Sequence, residues 1–240
     1  MSNTYKIEIF KDKESLAINA TEILLNIIES ELSKKSRIQI ALSGGSTPSS
    51  VYRLLSLKAI QWERVDVFLG DERWVPHEDE SSNALMIRNT LLSNPPGSLA
   101  CFHEIPTTEF PTPEKSADAF EKILKEKCNG NPPVFDLMLL GLGDDGHTAS
   151  LFPSTDSLKV TDKFTTIGKG KGKERITLTS PVLSSAKNIV FLVSGASKKN
   201  ALSKLIDPSE NSEHVPAKLV KSSKEILVLT DEPAAVLINK

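Results

Sequence analysis

The sequence predicts an α/β fold, a doubly wound, mostly parallel sheet with helices on both faces. Short runs rich in apolar and β-branched residues alternate along the chain with longer runs of helical periodicity, and this alternation is typical of parallel sheets. Several short runs are apolar at nearly every position, as expected of strands that are covered on both faces. The chain has 240 residues, of which 39% are hydrophobic. It can therefore bury a large core, and we expect residues 1–240 to form one domain.

The strands are predicted from alternation or from continuous apolar runs. The segment YKIEIF alternates, whereas VDVFL and FDLMLL are almost entirely apolar. In chain order, the predicted strands are residues 5–10, 37–42, 65–69, 135–140, 175–180, 188–193 and 225–230.

The helices are predicted from apolar residues three and four positions apart and from capping signals. Thr47-Pro48 and Thr112-Pro113 each have the pattern of an N-cap followed by a proline in the first turn. The predicted helices cover residues 16–32, 48–57, 82–92, 113–127 and 194–205, and Pro233 begins a short terminal helix.

The connections between these elements differ in character. Residues 70–81 are predicted to be a loop, and the proline-rich residues 94–113 an irregular connection. Residues 155–174 carry Gly168, Gly170 and Gly172 among lysines, which is typical of a mobile surface loop or a hairpin tip.

Four loops follow predicted strands and hold most of the unusual chemistry of the chain. Ligands of open α/β sheets bind beyond the carboxyl ends of the strands. We therefore expect a single site built from residues 43–47, 70–74, 141–148 and 194–199.

Composition argues against several classes of partner. The net charge of −2 gives no reason to expect nucleic acid. No run approaches the roughly 18 apolar residues of a membrane span, and the amino terminus has no run of signal-peptide length, so we expect a cytoplasmic protein. Cys101 and Cys128 lack a zinc or disulfide pattern and HExxH is absent, so no metal or cofactor is expected.

The first loop offers groups that suit an anion. Glycine N–H groups, two hydroxyls and a helix N-terminus could bind a phosphate monoester; the same residues could also form an ordinary turn with a threonine cap. The residues concerned are Gly44, Gly45, Ser46 and Thr47.

The second loop reads GDER. Arg73 could grip a phosphate or carboxylate through two N–H groups, and Asp71 could accept a proton or orient a neighbour. The alternative is a structural Asp–Arg pair. Trp74, the next residue, is interpreted as a packing residue.

The third loop, GLGDDGH, formally matches the dinucleotide motif GxGxxG after a strand. We reject that reading because two adjacent carboxylates would face the pyrophosphate and Pro153 interrupts the helix that should follow. His147 could serve as a neutral general base, with a structural histidine as the alternative.

Cationic side chains complete the set of candidates. Lys198 and Lys199 open a predicted helix, where a lysine is unfavourable for the helix dipole unless an anion compensates; solvated lysines are the alternative. Arg175 begins a strand and faces either the site or water. These parts indicate phosphate anchoring and general-base chemistry without metal, nucleotide or covalent nucleophile.

The same segments resemble the 6-phosphogluconolactonase family. The matching stretches are LSGGSTP, GDERWVP, a following Ser82-Asn83, GLGDDGHTASLFP, ERITLTSPVL and SGASKKNAL, in the family's order over residues 42–202. Ser154 departs from the pattern, because many members have glycine there. The resemblance implies the sugar-phosphate isomerase-like fold and metal-independent hydrolysis of 6-phospho-D-glucono-1,5-lactone to 6-phospho-D-gluconate, the second step of the oxidative pentose phosphate pathway.

On this resemblance, His147 is the general base that activates water, and Asp71 orients the histidine or the substrate hydroxyls. Lys198 is preferred to Lys199 because it fits the family's G-x-x-K pattern. The residues expected to bind the phosphosugar lactone are Gly44, Gly45, Ser46, Thr47, Arg73, Gly143, Asp145, Gly146, Arg175 and Lys198.

Two other functions are compatible with these residues. A glucosamine-6-phosphate deaminase/isomerase shares the fold, although its loops typically read DEY and GHIAFNEP where this chain has DERW and GHTASLFP. A non-catalytic sugar-phosphate-binding module is the second alternative. The sequence leaves the oligomeric state open.

Overall fold

A computed structural model describes residues 3–238, which form ten strands and seven α-helices. The strands are β1 (Tyr5–Phe10), β2 (Ile38–Leu42), β3 (Val65–Leu69), β4 (Asp71–Arg73), β5 (Cys101–Phe102), β6 (Leu137–Gly141), β7 (Thr165–Gly170), β8 (Lys173–Leu178), β9 (Ile189–Val193) and β10 (Ile226–Asp231). The helices are α1 (Lys13–Leu32), α2 (Ser46–Leu55), α3 (Asn83–Arg88), α4 (Pro113–Lys127), α5 (Ser180–Ser184), α6 (Lys199–Ile206) and α7 (Glu232–Ala235).

Seven strands form one parallel sheet in the order β1-β10-β9-β6-β2-β3-β5. The mostly parallel α/β fold is thereby confirmed. Strands β2, β3 and β9 are buried at every position, which explains why they are apolar at nearly every residue. From β2 the chain builds outwards through β3 and β5, and it then returns to place β6 on the other side of β2. The strand order reverses between β2 and β6, the position at which α/β sheets open a crevice.

A second, antiparallel sheet has the order β4-β8-β7. The prediction of a loop over residues 70–81 is therefore wrong at its start, because residues 71–73 form strand β4. This strand is short and polar, and its partner β8 lies about a hundred residues later, so local sequence gives no signal for it. Of the two readings of residues 155–174, the hairpin is correct, because β7 and β8 pair directly.

Two predicted helix starts need correction. Thr47 is not a cap, because α2 begins at Ser46 after Gly45, whose φ of 115° suits glycine. The segment predicted to be helical from residue 194 begins with a short 3₁₀ turn, Ala196–Lys198, and α6 follows it. The third helix, α3, ends at Arg88 instead of residue 92.

Other local predictions hold. The side chain of Thr112 caps α4 by accepting the N–H of Lys115. Trp74 packs against the core and donates its indole N–H to Ser116. Ser154 has a φ of 59°, the left-handed conformation that explains the glycine common at this place in the family. No helix within residues 3–238 has the length and hydropathy needed to cross a membrane.

Candidate active site

The carboxyl ends of β2 and β6 open into a cleft of about 180 Å³. Residues from all four predicted loops line this cleft, which therefore lies at the reversal of the strand order. The lining residues are Ser43, Gly44, Gly45, Asp71, Arg73, Asn83, Gly141, Leu142, Gly143, His147, Ala149, Lys171, Arg175 and Lys198.

His147 is held by a tight turn that its own loop forms. The backbone N–H of Gly143 donates to the carbonyl of His147 at 2.8 Å, and the N–H of Gly146 donates to the carbonyl of Gly143 at 3.0 Å. Only glycine fits at position 143, because a Cβ there would lie 2.0 Å from His147 Nδ1. Gly143 and Gly146 thus shape the loop, and their N–H groups are already used.

Asp145 orients the imidazole without itself lining the cleft. Its Oδ1 accepts a hydrogen bond from His147 Nδ1 and another from the backbone N–H of His147 at 3.2 Å. This leaves Nε2 as the nitrogen that is free to exchange a proton with a bound molecule. Burial lowers the pKa of His147 in spite of the opposing effect of Asp145. The imidazole is therefore neutral at about pH 7, as a general base must be.

Asp71 is buried, lines the cleft and is held in place by neighbouring polar groups. Its Oδ2 accepts the hydroxyl of Ser150 at 2.5 Å and lies 3.7 Å from Nη1 of Arg175. Its carbonyl accepts an N–H from the Asn83 side chain at 2.9 Å. A carboxylate fixed in this way can orient substrate hydroxyls or the histidine.

Arg73 and Arg175 are direct cross-strand partners in the β4–β8 pair and reach the cleft together. Each has a buried Nε with no hydrogen-bond partner among residues 3–238. The guanidinium of Arg175 stacks over the ring of Phe152 at 5.3 Å. Burial and the charge of Arg73 lower the pKa of Arg175, while Asp71 opposes the shift. Two paired cations with spare donors form a site for an anion.

Glu72 lies on the opposite side of β4 and organises the wall of the cleft. Its fully buried carboxylate accepts the N–H groups of Arg73, Asn83 and Ala84 at 2.7–2.8 Å and the hydroxyl of Ser82 at 3.1 Å. Burial raises the pKa of Glu72 against the effect of these donors. The residue anchors the N-terminus of α3 and so places Asn83.

The glycines of the first loop approach Asn83 closely. A Cβ on Gly44 would lie 2.0 Å from the Asn83 amide oxygen, so glycine is required there. Ser46 and Thr47 do not line the cleft, because they already belong to the first turn of α2. The phosphate contacts expected from these two side chains stay a prediction.

Lys198 reaches the cleft from the fourth loop and pairs with Asp144 at 2.5 Å. This pairing lowers the pKa of Asp144. The loop is fixed from behind by Asp231, whose carboxylate accepts the N–H of Gly195 at 3.0 Å. Lys199, the alternative, does not line the cleft.

Sequence reasoning assigned no role to Asn83, Ser150 or Lys171. Asn83 and Ser150 stand inside the family motifs, which was a usable signal, but their contacts with Asp71 depend on chain segments that are distant in sequence. Lys171 belongs to the glycine–lysine segment, and only its place at the hairpin tip brings it to the cleft.

One group of potential metal ligands occurs among residues 3–238, and it lies away from this cleft. Asp66, Cys101 and His103 have donor atoms within 4.8 Å of one another. The Asp66 carboxylate is already paired with Arg37 at 2.9 Å and with His103 at 2.9 Å. Its charge is therefore compensated by the protein.

Known proteins resemble this chain over most of its length. The chain matches the family described as glucosamine-6-phosphate isomerases/6-phosphogluconolactonase over residues 11–229. It is 36% identical over 236 residues to the 6-phosphogluconolactonase of Nostoc sp., covering 97% of this chain and 98% of the relative. It is 38% identical over 232 residues to that of Synechocystis sp., covering 95% and 96%.

Solved structures show the same fold. A 6-phosphogluconolactonase from Trypanosoma brucei matches with a TM-score of 0.86 at 28% identity, covering 98% of this chain and 99% of that one. A monomeric glucosamine-6-phosphate deaminase matches with a TM-score of 0.78 at 21% identity, and this likeness concerns the fold alone.

Proposed function

The chain belongs to the glucosamine-6-phosphate isomerase/6-phosphogluconolactonase family, and on this premise we propose that it hydrolyses 6-phospho-D-glucono-1,5-lactone to 6-phospho-D-gluconate. The observation that carries the proposal is a neutral, carboxylate-oriented imidazole in a cleft that also presents two arginines. A lactone with a remote phosphate needs both a base for water and cations for the phosphate.

In the proposed mechanism, His147 Nε2 removes a proton from a water molecule as its oxygen attacks the lactone carbonyl carbon. The carbonyl becomes a tetrahedral oxyanion. Collapse of this intermediate breaks the bond to the ring oxygen, which takes the proton from the imidazolium and becomes a hydroxyl. The new carboxylic acid then loses its proton to solvent. Asp145 keeps the imidazole oriented throughout, and Asp71 positions the sugar hydroxyls.

The oxyanion is stabilised by backbone N–H groups of the first loop in this proposal. The N–H groups of Gly143 and Gly146 are used within their own turn. Gly44 and Gly45 line the cleft, and among residues 3–238 their N–H groups have no hydrogen-bond partner. Donors of this kind, which point at the charge that develops in the transition state, commonly lower the activation free energy by about 3 kcal/mol.

The phosphate binds to Arg73, Arg175 and Lys198 in this proposal. The two arginines are cross-strand partners on the small sheet and both line the cleft. Among residues 3–238, the exposed Asp144 is the only partner of the Lys198 side chain, and an incoming phosphate can replace it. The mechanism uses these side chains and needs no cofactor.

We further place the protein in the cytoplasm, with a small phosphosugar lactone and not nucleic acid as its partner. The free thiols of Cys101 and Cys128 support the cytoplasm, where thiols stay reduced. The net charge of −2 supports a partner other than nucleic acid. Cell fractionation, with a cytosolic and a periplasmic or organellar marker, tests it.

The central experiment is a coupled assay with enzymatically generated lactone, corrected for spontaneous opening. His147→Ala should lower kcat by about 10²–10⁴-fold with little change in substrate affinity, because a single general base contributes that much. His214→Ala removes an exposed histidine that does not line the cleft and serves as the matched control. An unchanged kcat in His147→Ala would show that His147 is not the general base. Absence of turnover in the unmodified protein would show that the proposed function is wrong.

A further inference from the structure

The segment with alternating glycines and lysines forms the hairpin of β7 and β8. Gly168 pairs with Arg175 and Gly170 pairs with Lys173, so the glycines stand on the strand face that also carries Arg175. The turn is made by Lys171 and Gly172, with φ values of 52° and 75°.

The glycines dock this hairpin onto the loop that carries the catalytic histidine. A Cβ on Gly168 would lie 2.3 Å from the carbonyl oxygen of Ser150, and a Cβ on Gly170 would lie 2.5 Å from the ring of Phe152. Such contacts are possible only for glycine. The Phe152 ring packs against the imidazole of His147, with centroids 4.4 Å apart. The tip of the hairpin therefore has a defined position relative to the base.

Lys171 differs from the other lysines near the cleft in having no acidic partner. Lys169 pairs with Glu174 at 3.3 Å, Lys173 lies 3.9 Å from the carboxylate of Asp79, and Lys198 pairs with Asp144 at 2.5 Å. Within residues 3–238, Lys171 has neither an ion pair nor a hydrogen bond, yet it lines the cleft. An unpaired ammonium at the mouth of a cleft that already holds arginines is suited to a doubly charged anion.

We propose that the docked β7–β8 hairpin delivers Lys171 as a specificity-determining contact for the phosphate of the substrate. The inference rests on the proposed function and deepens it. A phosphate monoester carries a charge of about −1.5 to −2 at neutral pH, so a further cation adds to what the arginines supply. Lys171 favours phosphorylated over unphosphorylated lactone and takes no part in proton transfer.

Two substrates and a matched pair of variants test this assignment. Lys171→Ala should raise KM for the phosphorylated lactone about 3- to 10-fold and leave KM for glucono-1,5-lactone within twofold, as expected for one partly exposed charged contact. Lys169→Ala removes the same charge two residues away, from a lysine that does not line the cleft, and should behave as the unmodified protein. Lys171→Arg should retain the preference, because it keeps the charge.

Binding without turnover separates this inference from the function itself. Calorimetric titration with 6-phosphogluconate and gluconate should show the same 3- to 10-fold loss for Lys171→Ala, confined to the phosphorylated ligand. Equal behaviour of Lys171→Ala and Lys169→Ala, or equal losses with both ligands, would overturn the phosphate contact. If the unmodified protein bound 6-phosphogluconate in a Lys171-dependent manner but hydrolysed no lactone, the proposed function would fail while the contact stood.

Discussion

At the scale of single residues, the protonation state of His147 is the decisive property of the site. Burial has the largest effect on its pKa and lowers it, as does the charge of Lys171, whereas the carboxylates of Asp145 and Asp71 raise it; the net shift is downwards. A base acts in its deprotonated form, so activity is lost as the pH falls through this pKa. The acid limb of kcat/KM should accordingly lie below the ordinary value for histidine.

Asp145→Asn tests the division of labour between these residues. The substitution removes the charge that raises the pKa of His147, so the acid limb of kcat/KM should move to lower pH. It also weakens the hydrogen bond that orients the ring, so kcat should fall about tenfold or more. A pH profile of kcat/KM and of kcat measures both effects.

Asp144→Asn is the control for that profile. It removes the neighbouring carboxylate, which pairs with Lys198 and makes no hydrogen bond to the imidazole. In Asp144→Asn, the acid limb of kcat/KM should lie at the same pH as in the unmodified protein. A shift to higher pH in Asp145→Asn, or an unchanged kcat, would contradict the orienting role.

At the level of elements, side chains that alternate along β4 place the cleft residues on one face of the strand and a structural residue on the other. Asp71 and Arg73 stand two residues apart on β4 and both reach the cleft, whereas Glu72 between them is buried on the other side. The Glu72 carboxylate holds the N-terminus of α3 against this strand by accepting hydrogen bonds from its first turn. Each of its two oxygens accepts two hydrogen bonds.

Glu72→Gln should destabilise the protein by about 1–3 kcal/mol, because the amide NH₂ would replace an oxygen that accepts two donors and would leave them unsatisfied. Urea unfolding measures the loss. Glu78→Gln, an exposed position on the same connection, is the matched control and should change stability by less than about 0.5 kcal/mol. Equal stability of the two variants would mean that Glu72 does not anchor α3.

At the level of the whole molecule, buried charged residues lie at both the amino and the carboxyl ends of the main-sheet strands, and they have different roles there. Asp136, just before β6, lies at the amino-terminal edge and is 1% exposed. It pairs with Lys187 at 3.0 Å and with Lys35, and it accepts the backbone N–H of Gln39 at 2.9 Å. This network ties three strands together at the edge remote from the cleft.

Asp136→Asn should lower the free energy of unfolding by about 1–3 kcal/mol, because Lys35 loses its buried counter-ion and Lys187 keeps only Glu31, at 3.7 Å. kcat/KM of the folded protein should stay unchanged, because the cleft lies at the carboxyl edge. Urea unfolding and the lactone assay on the same preparation measure both. Asp118→Asn, on the exposed face of α4, controls for the loss of charge, and a fall in kcat/KM for Asp136→Asn would show that the two edges are coupled.

The main strands, most helices and the loops that carry the chemistry could be predicted from the sequence. These signals are local: apolar periodicity, caps such as Thr112, and glycines beside acids. The convergence of the four loops also followed from the sequence, because parallel strands place their carboxyl ends at one edge.

Which residues of those loops face the cleft depends on the fold as a whole. Strand β4 exists because it pairs with β8, and the hairpin tip reaches the cleft because Gly168 and Gly170 allow close packing on Ser150 and Phe152. Ser46 and Thr47 do not line the cleft, whereas Lys171, to which sequence reasoning assigned no role, does. Pairing and packing between segments far apart in the chain depend on the whole fold, and no local pattern encodes them.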